Sequence, residues 1–369
     1  MYQFHHATEE LKAIAEKVQA GERLSFEDGV RLFKSGDLLT IGFLANLVRE
    51  RKNGSRTYFI VNRHINHTNI CINRCPLCAF GRDPDDRGAY TMTLDEIEAR
   101  ARECQGQGVS EIHIVGGLNK ALGLEYYLEM LRRVRRALPK AIIQGFTAVE
   151  IDFLARSNGL SIEKTLELLR EAGLDSLPGG GAEIFAPRVR ERICPRKISG
   201  ERWLEVHETA HRLGMRTNAT MLYGHIETIE ERVEHLIRLR ELQDRTGGFL
   251  AFIPLAFHPK NTGLESLGLA GTTGYEDLKV LAIARLILDN FDHIKAFWIM
   301  IGPKLSQVAL SFGVDDLDGT VVEEKIAHDA GAETDQYMPK QRLINMIRAA
   351  GRIPVERDTL YNVIWEGLQ

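Results

Sequence analysis

The sequence predicts an α/β protein: a TIM-type (βα) barrel with helices before it and an extension after it. Three observations carry this. From about residue 55, β-rich runs and helical patterns alternate about seven times at the spacing of βα units. The strand runs are followed by polar or glycine-bearing loops. No single nucleotide-binding turn stands out among them, which favours a barrel over an open, doubly wound sheet. Finally, three of the five cysteines fall within eight residues just after the first strand of the array, at the face where barrels build their sites.

The elements follow in order. Residues 7 to about 52 read as helices, with Leu11, Ile14, Ala15 and Val18 on one apolar face. Ser25 with Asp28 reads as an N-cap and acidic first turn, and Asp37 starts a third helix that Asn53-Gly54 stops. Thr57 to Val61 is the first strand and leads into the cysteine loop and a polar loop, 82–88. Thr93-Leu94-Asp95-Glu96 is a capping box opening a helix to about Gln107. Strands are then expected at 111–115, 141–146, 174–177, 217–222, 249–255 and 294–301. Helices are expected at 124–138, 149–156, 162–171, 202–213, 229–242, 275–289 and 305–312, with a last helix at 341–350. The expected organisation is a helical extension (1–54), the barrel (55–320) and a C-terminal segment packing on it (321–369).

Composition narrows the function class. With 47 Lys plus Arg against 51 Asp plus Glu, the chain has no electrostatic footprint for nucleic acid. No apolar run reaches the roughly 18 residues of a membrane span. The N-terminal stretch, with Glu9, Glu10 and Glu16, lacks the charged and apolar regions of a signal peptide, so a cytoplasmic chain is expected. Five cysteines, three of them clustered, suit a metal site in a reducing compartment better than a disulfide framework. Cys104 and Cys194 read as small buried hydrophobes.

Cys71, Cys75 and Cys78 have the spacing C-x3-C-x2-C, which can aim three sulfurs at one point. Iron–sulfur clusters are usually held by four cysteines, so three imply a [4Fe–4S] cluster with one iron open for chemistry. The alternative is zinc held by three cysteines and a distant ligand. Zinc sites more often pair two knuckles, and the chain has no second knuckle, which favours the cluster.

That spacing, after the first barrel strand, resembles the radical S-adenosylmethionine (SAM) superfamily. The resemblance implies that Cys71, Cys75 and Cys78 hold the cluster and that the open iron chelates the amino and carboxylate groups of SAM. It departs at Leu77, where many members carry an aromatic residue. The flank Arg63-His64-Ile65-Asn66 through Thr68-Asn69-Ile70, and Cys78-Ala79-Phe80, resemble the menaquinone-pathway subgroup. Within it, residues 145–151, 176–185, 218–227 and 253–262 resemble the aminofutalosine synthase family, a similarity running from about residue 55 to 320. The resemblance implies a transferase that adds the 5′-deoxyadenosyl radical of SAM to the vinyl group of 3-[(1-carboxyvinyl)oxy]benzoate, with rearrangement and loss of bicarbonate. It also implies an electron donor of the flavodoxin or ferredoxin type. The related dehypoxanthine futalosine cyclase, which abstracts hydrogen, is the alternative, and a non-catalytic iron–sulfur carrier is a further one.

Other positions take expected roles. By resemblance, Gly116-Gly117 contacts the methionyl amine, and Phe80 offers backbone contacts to adenine. Gly179-Gly180-Gly181 permits close backbone approach, and Glu183 is suited to a ribose diol. A substrate with two carboxylates needs cationic or amide donors. His258, Asn261 and Thr262 follow the sixth strand, while Asn218, Thr220, Tyr223 and His225 lie on or past the fifth. His258, Asn261, Thr262 and Tyr223 are the catalytic candidates, and Asn218 is a cofactor-binding one. The N-terminal helices or the C-terminal tail are candidates for a lid that excludes water.

His207-Glu208-Thr209-Ala210-His211 is a literal H-E-x-x-H, the mark of a zinc metallopeptidase when its histidines share an open helix face. This helix lies between strands, on the outside of the expected barrel, with Trp203, Val206, Ala210 and Leu213 as its buried stripe. The histidines therefore read as packing contacts. Arg132-Arg133-Val134-Arg135-Arg136, with Glu125 and Glu129 nearby, reads as a solvated helix face.

Overall fold

In a computed structural model, which describes residues 9–368, a parallel sheet coils around a central cavity. The start of the first expected helix, residues 7 and 8, lies outside the described residues. The strands are β1 (Arg56–Ile60), β2 (Asn62–Ile65), β3 (Glu111–Ile114), β4 (Ile142–Gly145), β5 (Ser176–Leu177), β6 (Arg216–Tyr223), β7 (Phe249–Ala256), β8 (His293–Ile294), β9 (Asp316–Gly319), β10 (Ile353–Arg357) and β11 (Val363–Glu366).

Strands β2 to β8 form one sheet in sequence order, and all its pairs are parallel. Parallel neighbours need crossover connections, and the helices supply them on the outer face. The two edges of this sheet are drawn together through β9. Asp316 bridges to Lys295 just after β8, Val322 just after β9 bridges to Arg63 on β2, and β9 pairs with β1. The first expected strand, 57–61, is β1, and β2 after Val61 is a further strand. β1 joins a second sheet ordered β11-β10-β1-β9, so β2 and not β1 opens the barrel sheet.

That second sheet ties the C-terminal segment to the barrel base. β10 pairs in parallel with β1, from Arg56↔Ile353 to Phe59↔Glu356. Arg357 then donates to Asp316 at 2.7 Å, and the Tyr361 hydroxyl donates to the same carboxylate at 2.8 Å. Beside them Asp315 takes the Arg285 guanidinium and the His293 ring.

The local signals at helix starts are realised. Ser25 and Thr93 both make reciprocal capping boxes, with Asp28 and Glu96 respectively, and Asp37 caps Leu38–Asn53. Phe26–Lys34 and Leu38–Asn53 pack against the outer helices Ile229–Thr246 and Gly274–Ile287, so they brace the barrel wall.

Two expectations change. The apolar run 294–301 was expected to be one strand. β8 stops at Ile294, and Trp298–Ile301 is a helical turn whose Trp298 indole donates to the Gly319 carbonyl at 2.9 Å. Four consecutive apolar residues have no period of their own, and packing decides their state. A short helix, Pro187–Ile193, was also not expected; it begins with proline at its first position.

Candidate active site at the carboxyl ends of the strands

A cavity of about 340 Å³ fills the upper barrel, a volume within the ordinary range for small-ligand sites. Its wall follows the two-residue period of the strands. Asn62 and His64 on β2, Glu111 and His113 on β3, and Asn218, Thr220 and Leu222 on β6 all face inward. So do Ile253 and Leu255 on β7, and Lys295 and Phe297 after β8. His64 and His113 stack with ring centroids 4.6 Å apart, and burial holds the His64 imidazole well below its usual range, hence neutral.

The cysteine loop forms the rim over β2 and β3. It is fastened on three sides. Cys71 N–H donates to the Arg82 carbonyl at 3.0 Å, Ile72 N–H to Leu118 at 3.1 Å, and Leu77 N–H to Ile193 at 3.2 Å. Arg74 adopts a left-handed backbone, φ 42°, and its guanidinium caps the Gly81 carbonyl. Cys71 and Cys78 are half-buried, Cys75 is buried, and all three line the cavity. Burial pushes the free Cys75 thiol up to about 12. A thiol in such a place becomes a thiolate ligand when a metal centre supplies the compensating charge.

The donor set fits an iron–sulfur cluster, with three cysteine sulfurs at the wall of one cavity. Gly117 N–H donates to the Thr68 carbonyl at 2.8 Å. A Cβ on Gly117 would fall 2.2 Å from the Ile70 carbonyl oxygen and 3.0 Å from the Cys71 Cβ. One on Gly81 would lie 4.0 Å from the Cys78 sulfur. Gly117 thus has to be glycine for the turn to pack on the backbone leading into Cys71, whereas Gly81 has space for a side chain. Among the described residues no three His, Cys, Asp or Glu side chains are arranged around a single metal ion. This is compatible with a cluster, in which each thiolate ligates a different iron and the sulfurs stand further apart than around one ion.

Beyond the loop, Gly116 N–H donates to Glu150 at 3.0 Å. Glu150 also closes the capping box of its own helix with Thr147, and burial pushes its carboxyl up to about 7. Across the cavity, Gly179 packs so closely on β6 that a Cβ would fall 2.7 Å from the Ala219 carbonyl carbon. Its carbonyl accepts from the Thr220 hydroxyl at 2.6 Å. Glu183 stands in a left-handed conformation, φ 48°, and pairs with Lys197. Burial opposes both charges, yet each outweighs that penalty for the other: the carboxyl is held below its usual range and the ammonium above it.

The structure brings Cys71, Cys75, Cys78, Phe80, Gly116, Gly117, Glu183, Asn218 and His258 to one cavity. Leu77 also lines it, half-buried. His258 donates through Nε2 to the Met300 carbonyl at 3.0 Å. Tyr223, Asn261 and Thr262 are placed elsewhere. Tyr223 is five residues after inward-facing Asn218, so strand alternation turns it outward, where its hydroxyl donates to Asp277 at 2.7 Å. His225, next on the same loop, is buried against Glu227. Asn261, φ 60°, donates to the Asp329 carbonyl at 3.0 Å and lines a separate polar depression with Arg74, Arg82 and His328. Thr262 turns back onto the Pro259 carbonyl at 2.7 Å. The rim is completed by the C-terminal segment, through Glu324, Ile326, Ala327 and Ala330, whereas the N-terminal helices stay on the outer wall. Sequence reasoning missed His64, His113, Lys295 and Asp318 as inward-facing residues; strand parity was the one signal that could have found the first two.

The H-E-x-x-H helix is Gly200–Arg212, outside the barrel. His207 is fully buried, stacks on Trp203 with centroids 3.8 Å apart, and shares a hydrogen bond with Thr217 at 2.9 Å. His211 has Thr246 on one nitrogen and Thr217 on the other. Both rings are packing and hydrogen-bonding elements, and burial pulls His211 down to about 4. A zinc peptidase centre has no opening here. Cys104 and Cys194 are buried, away from the cavity lining.

Comparison with known proteins agrees with this geometry. Residues 65–239 match the radical SAM superfamily, and residues 246–366 match the CofH/MqnC C-terminal region. The chain is 50% identical over 360 residues to the aminodeoxyfutalosine synthase of Thermus thermophilus, covering 96% of this chain and 97% of that one. It is 44% identical over 364 residues to the aminodeoxyfutalosine synthase of Streptomyces coelicolor, covering 96% and 94%. In fold it is similar to methylornithine synthase, with a TM-score of 0.73 at 19% identity over 92% of this chain and 97% of that one. Among the described residues no helix is long and apolar enough to cross a membrane.

Proposed function

The chain belongs to the radical SAM superfamily and, within it, to the family of the aminodeoxyfutalosine synthases; from that membership we propose that it joins the 5′-deoxyadenosyl group of SAM to 3-[(1-carboxyvinyl)oxy]benzoate, with rearrangement and release of bicarbonate, on the route to menaquinone. Its cofactors are a [4Fe–4S] cluster and SAM, the latter consumed as a co-substrate. The observation that carries the reading is the joining of the cysteine loop, the two glycine turns and a mainly apolar cavity with a few inward-facing polar side chains at one end of the barrel.

Held by Cys71, Cys75 and Cys78, a [4Fe–4S] cluster would supply the one-electron reductant for cleavage of the SAM sulfonium. Every other part is played by side chains and backbone. Cys71, Cys75 and Cys78 hold the cluster, and their loop is fixed by its hydrogen bonds to Arg82, Leu118 and Ile193. Gly116 and Gly117 form the turn that would meet the methionyl end of SAM; their missing side chains let it pack on the His67 ring and the Ile70 carbonyl, and Glu150 fixes it through the Gly116 N–H. Lys197 keeps Glu183 ionised, so that the carboxylate can accept from the ribose hydroxyls. Phe80, buried at the rim, and Leu77 border the space for adenine. Asn218 is buried with its Oδ1 lacking a partner, an acceptor open to a bound ligand. His258 is oriented by Met300 at the cavity wall. Asn261, Thr262 and Tyr223 act at a distance, by shaping the loops after β6 and β7. The apolar lining from Leu222, Leu255 and Phe257 excludes water from a reactive intermediate. A one-electron donor of the flavodoxin or ferredoxin type completes the system.

Two substrates presented in parallel to the anaerobically reconstituted enzyme, with SAM and reductant, test the reading. Turnover of the enolpyruvyl benzoate to an adenosylated product supports it. Turnover of dehypoxanthine futalosine with free 5′-deoxyadenosine, and no adduct from the benzoate, replaces it with the cyclase. Protein that binds zinc but neither iron nor sulfide contradicts both.

A further inference from the structure

Most charged groups lining the cavity already have partners. Lys197 pairs with Glu183. Glu111 accepts from Asn62 at 3.2 Å and Thr359 at 2.8 Å. Glu150 and Glu324 are taken by backbone N–H groups. Lys295 is different. It is 4% exposed, and among the described residues its ammonium makes no hydrogen bond and no ion pair. Asp318, on β9 in a left-handed conformation (φ 62°), faces the same space, and its carboxyl has no hydrogen-bonding partner either. Asp318 faces the ammonium through space without a hydrogen bond; an ammonium so weakly paired in a buried site is costly, and the cost is relieved when an anion arrives.

Register sets the depth. Lys295 follows Ile294, which pairs with Phe252, so it lies level with Ile253 and Thr220. Leu222 and Leu255 stand one inward-facing level nearer the mouth, and the cysteine loop lies beyond the strand ends. Lys295 is thus on the deep side of the cavity, away from the cysteines.

We propose that Lys295 is a specificity-determining residue that anchors the ring carboxylate of the aromatic substrate, with Asp318 beside it as a second polar contact. The proposal rests on the substrate reading above. The ring carboxylate is the substrate group most remote from the vinyl carbon that must meet the adenosyl group, so anchoring it deep leaves the vinyl carbon toward the mouth. Burial raises the Asp318 carboxyl above its usual range, while the Lys295 ammonium pulls it back.

The test is calorimetric titration of the reconstituted holoenzyme with SAM and no reductant, so that nothing turns over. The titrants are 3-[(1-carboxyvinyl)oxy]benzoate and its ring methyl ester. Wild type is expected to prefer the acid by roughly 10- to 100-fold, the worth of a hydrogen bond to a charged group. Lys295→Met is expected to bind both alike, and Lys295→Arg to recover part of the preference. Lys295→Gln replaces the Met variant if that variant does not load its cluster. Equal binding of acid and ester by wild type, or a preference retained without Lys295, overturns the assignment. The substrate reading stands or falls separately: wild type that forms the adduct keeps it even if Lys295 proves indifferent, and wild type that forms none removes it.

Discussion

The position a Cβ would occupy on Gly117 lies 2.2 Å from the carbonyl oxygen of Ile70, the residue immediately before the first cluster cysteine. The turn after β3 and the cysteine loop are therefore packed backbone to backbone. Gly117→Ala must push the loop away, and overpacking of this kind costs about 1–3 kcal/mol. Because the displaced backbone carries Cys71, the expected result is lost iron and sulfide on reconstitution. Gly123→Ala, where an added Cβ meets nothing within 4 Å, should load its cluster normally.

Glu150 gives a pH signature. Its folded pKa, about 7, lies above the unfolded carboxylate value. Between those values the folded state holds a proton that the unfolded state has released, so stability falls as pH rises through that window. Relative to Glu150→Gln, the wild-type protein should lose on the order of 3 kcal/mol from about pH 4.5 to about pH 7. Denaturant melts at a series of pH values check this, and parallel curves for the two proteins would contradict it.

At the barrel base, Arg357 and Asp316 are fully buried and 2.7 Å apart. Arg357→Met leaves Asp316 with no cation, only the Tyr361 hydroxyl and the Asp318 N–H, and breaking a buried pair costs about 3–5 kcal/mol. Thermal melting should show a large drop, partly recovered in Arg357→Met/Asp316→Asn. An unchanged midpoint would mean that the C-terminal segment does not brace the barrel.

His211 serves the packing between its helix and β6. His211→Gln should lower stability by about 1–3 kcal/mol through its unsatisfied threonine partners. It should leave cluster content and turnover unchanged. Loss of activity with bound zinc in the wild-type protein would reverse this reading.

What the sequence revealed follows the range of the forces involved. Capping at Ser25, Thr93 and Asp37 is local chemistry and was legible. So was the cysteine loop, whose three sulfurs share one short segment. Repeated βα alternation was legible because burial imposes its period along the chain. The separate strand β2 and the existence of β10 and β11 were not. Arg56 pairs with Ile353, and nothing in either stretch points to a partner so distant. Tyr223 was misplaced for a different reason. Its parity with Asn218 is readable from the sequence and turns it to the outer face, against Asp277. Lys295 and Asp318 carry no motif, and only the closing of the barrel brings them together.

The central claim is tested most directly by mass spectrometry of the product formed from SAM carrying ¹³C throughout its adenosyl group, with 3-[(1-carboxyvinyl)oxy]benzoate, reductant and reconstituted enzyme. The account predicts that the label appears, carbon for carbon, in a single adduct that has lost one carboxyl as bicarbonate, and that Cys75→Ala gives none. Label recovered only as free 5′-deoxyadenosine, with the benzoate unchanged, would contradict it.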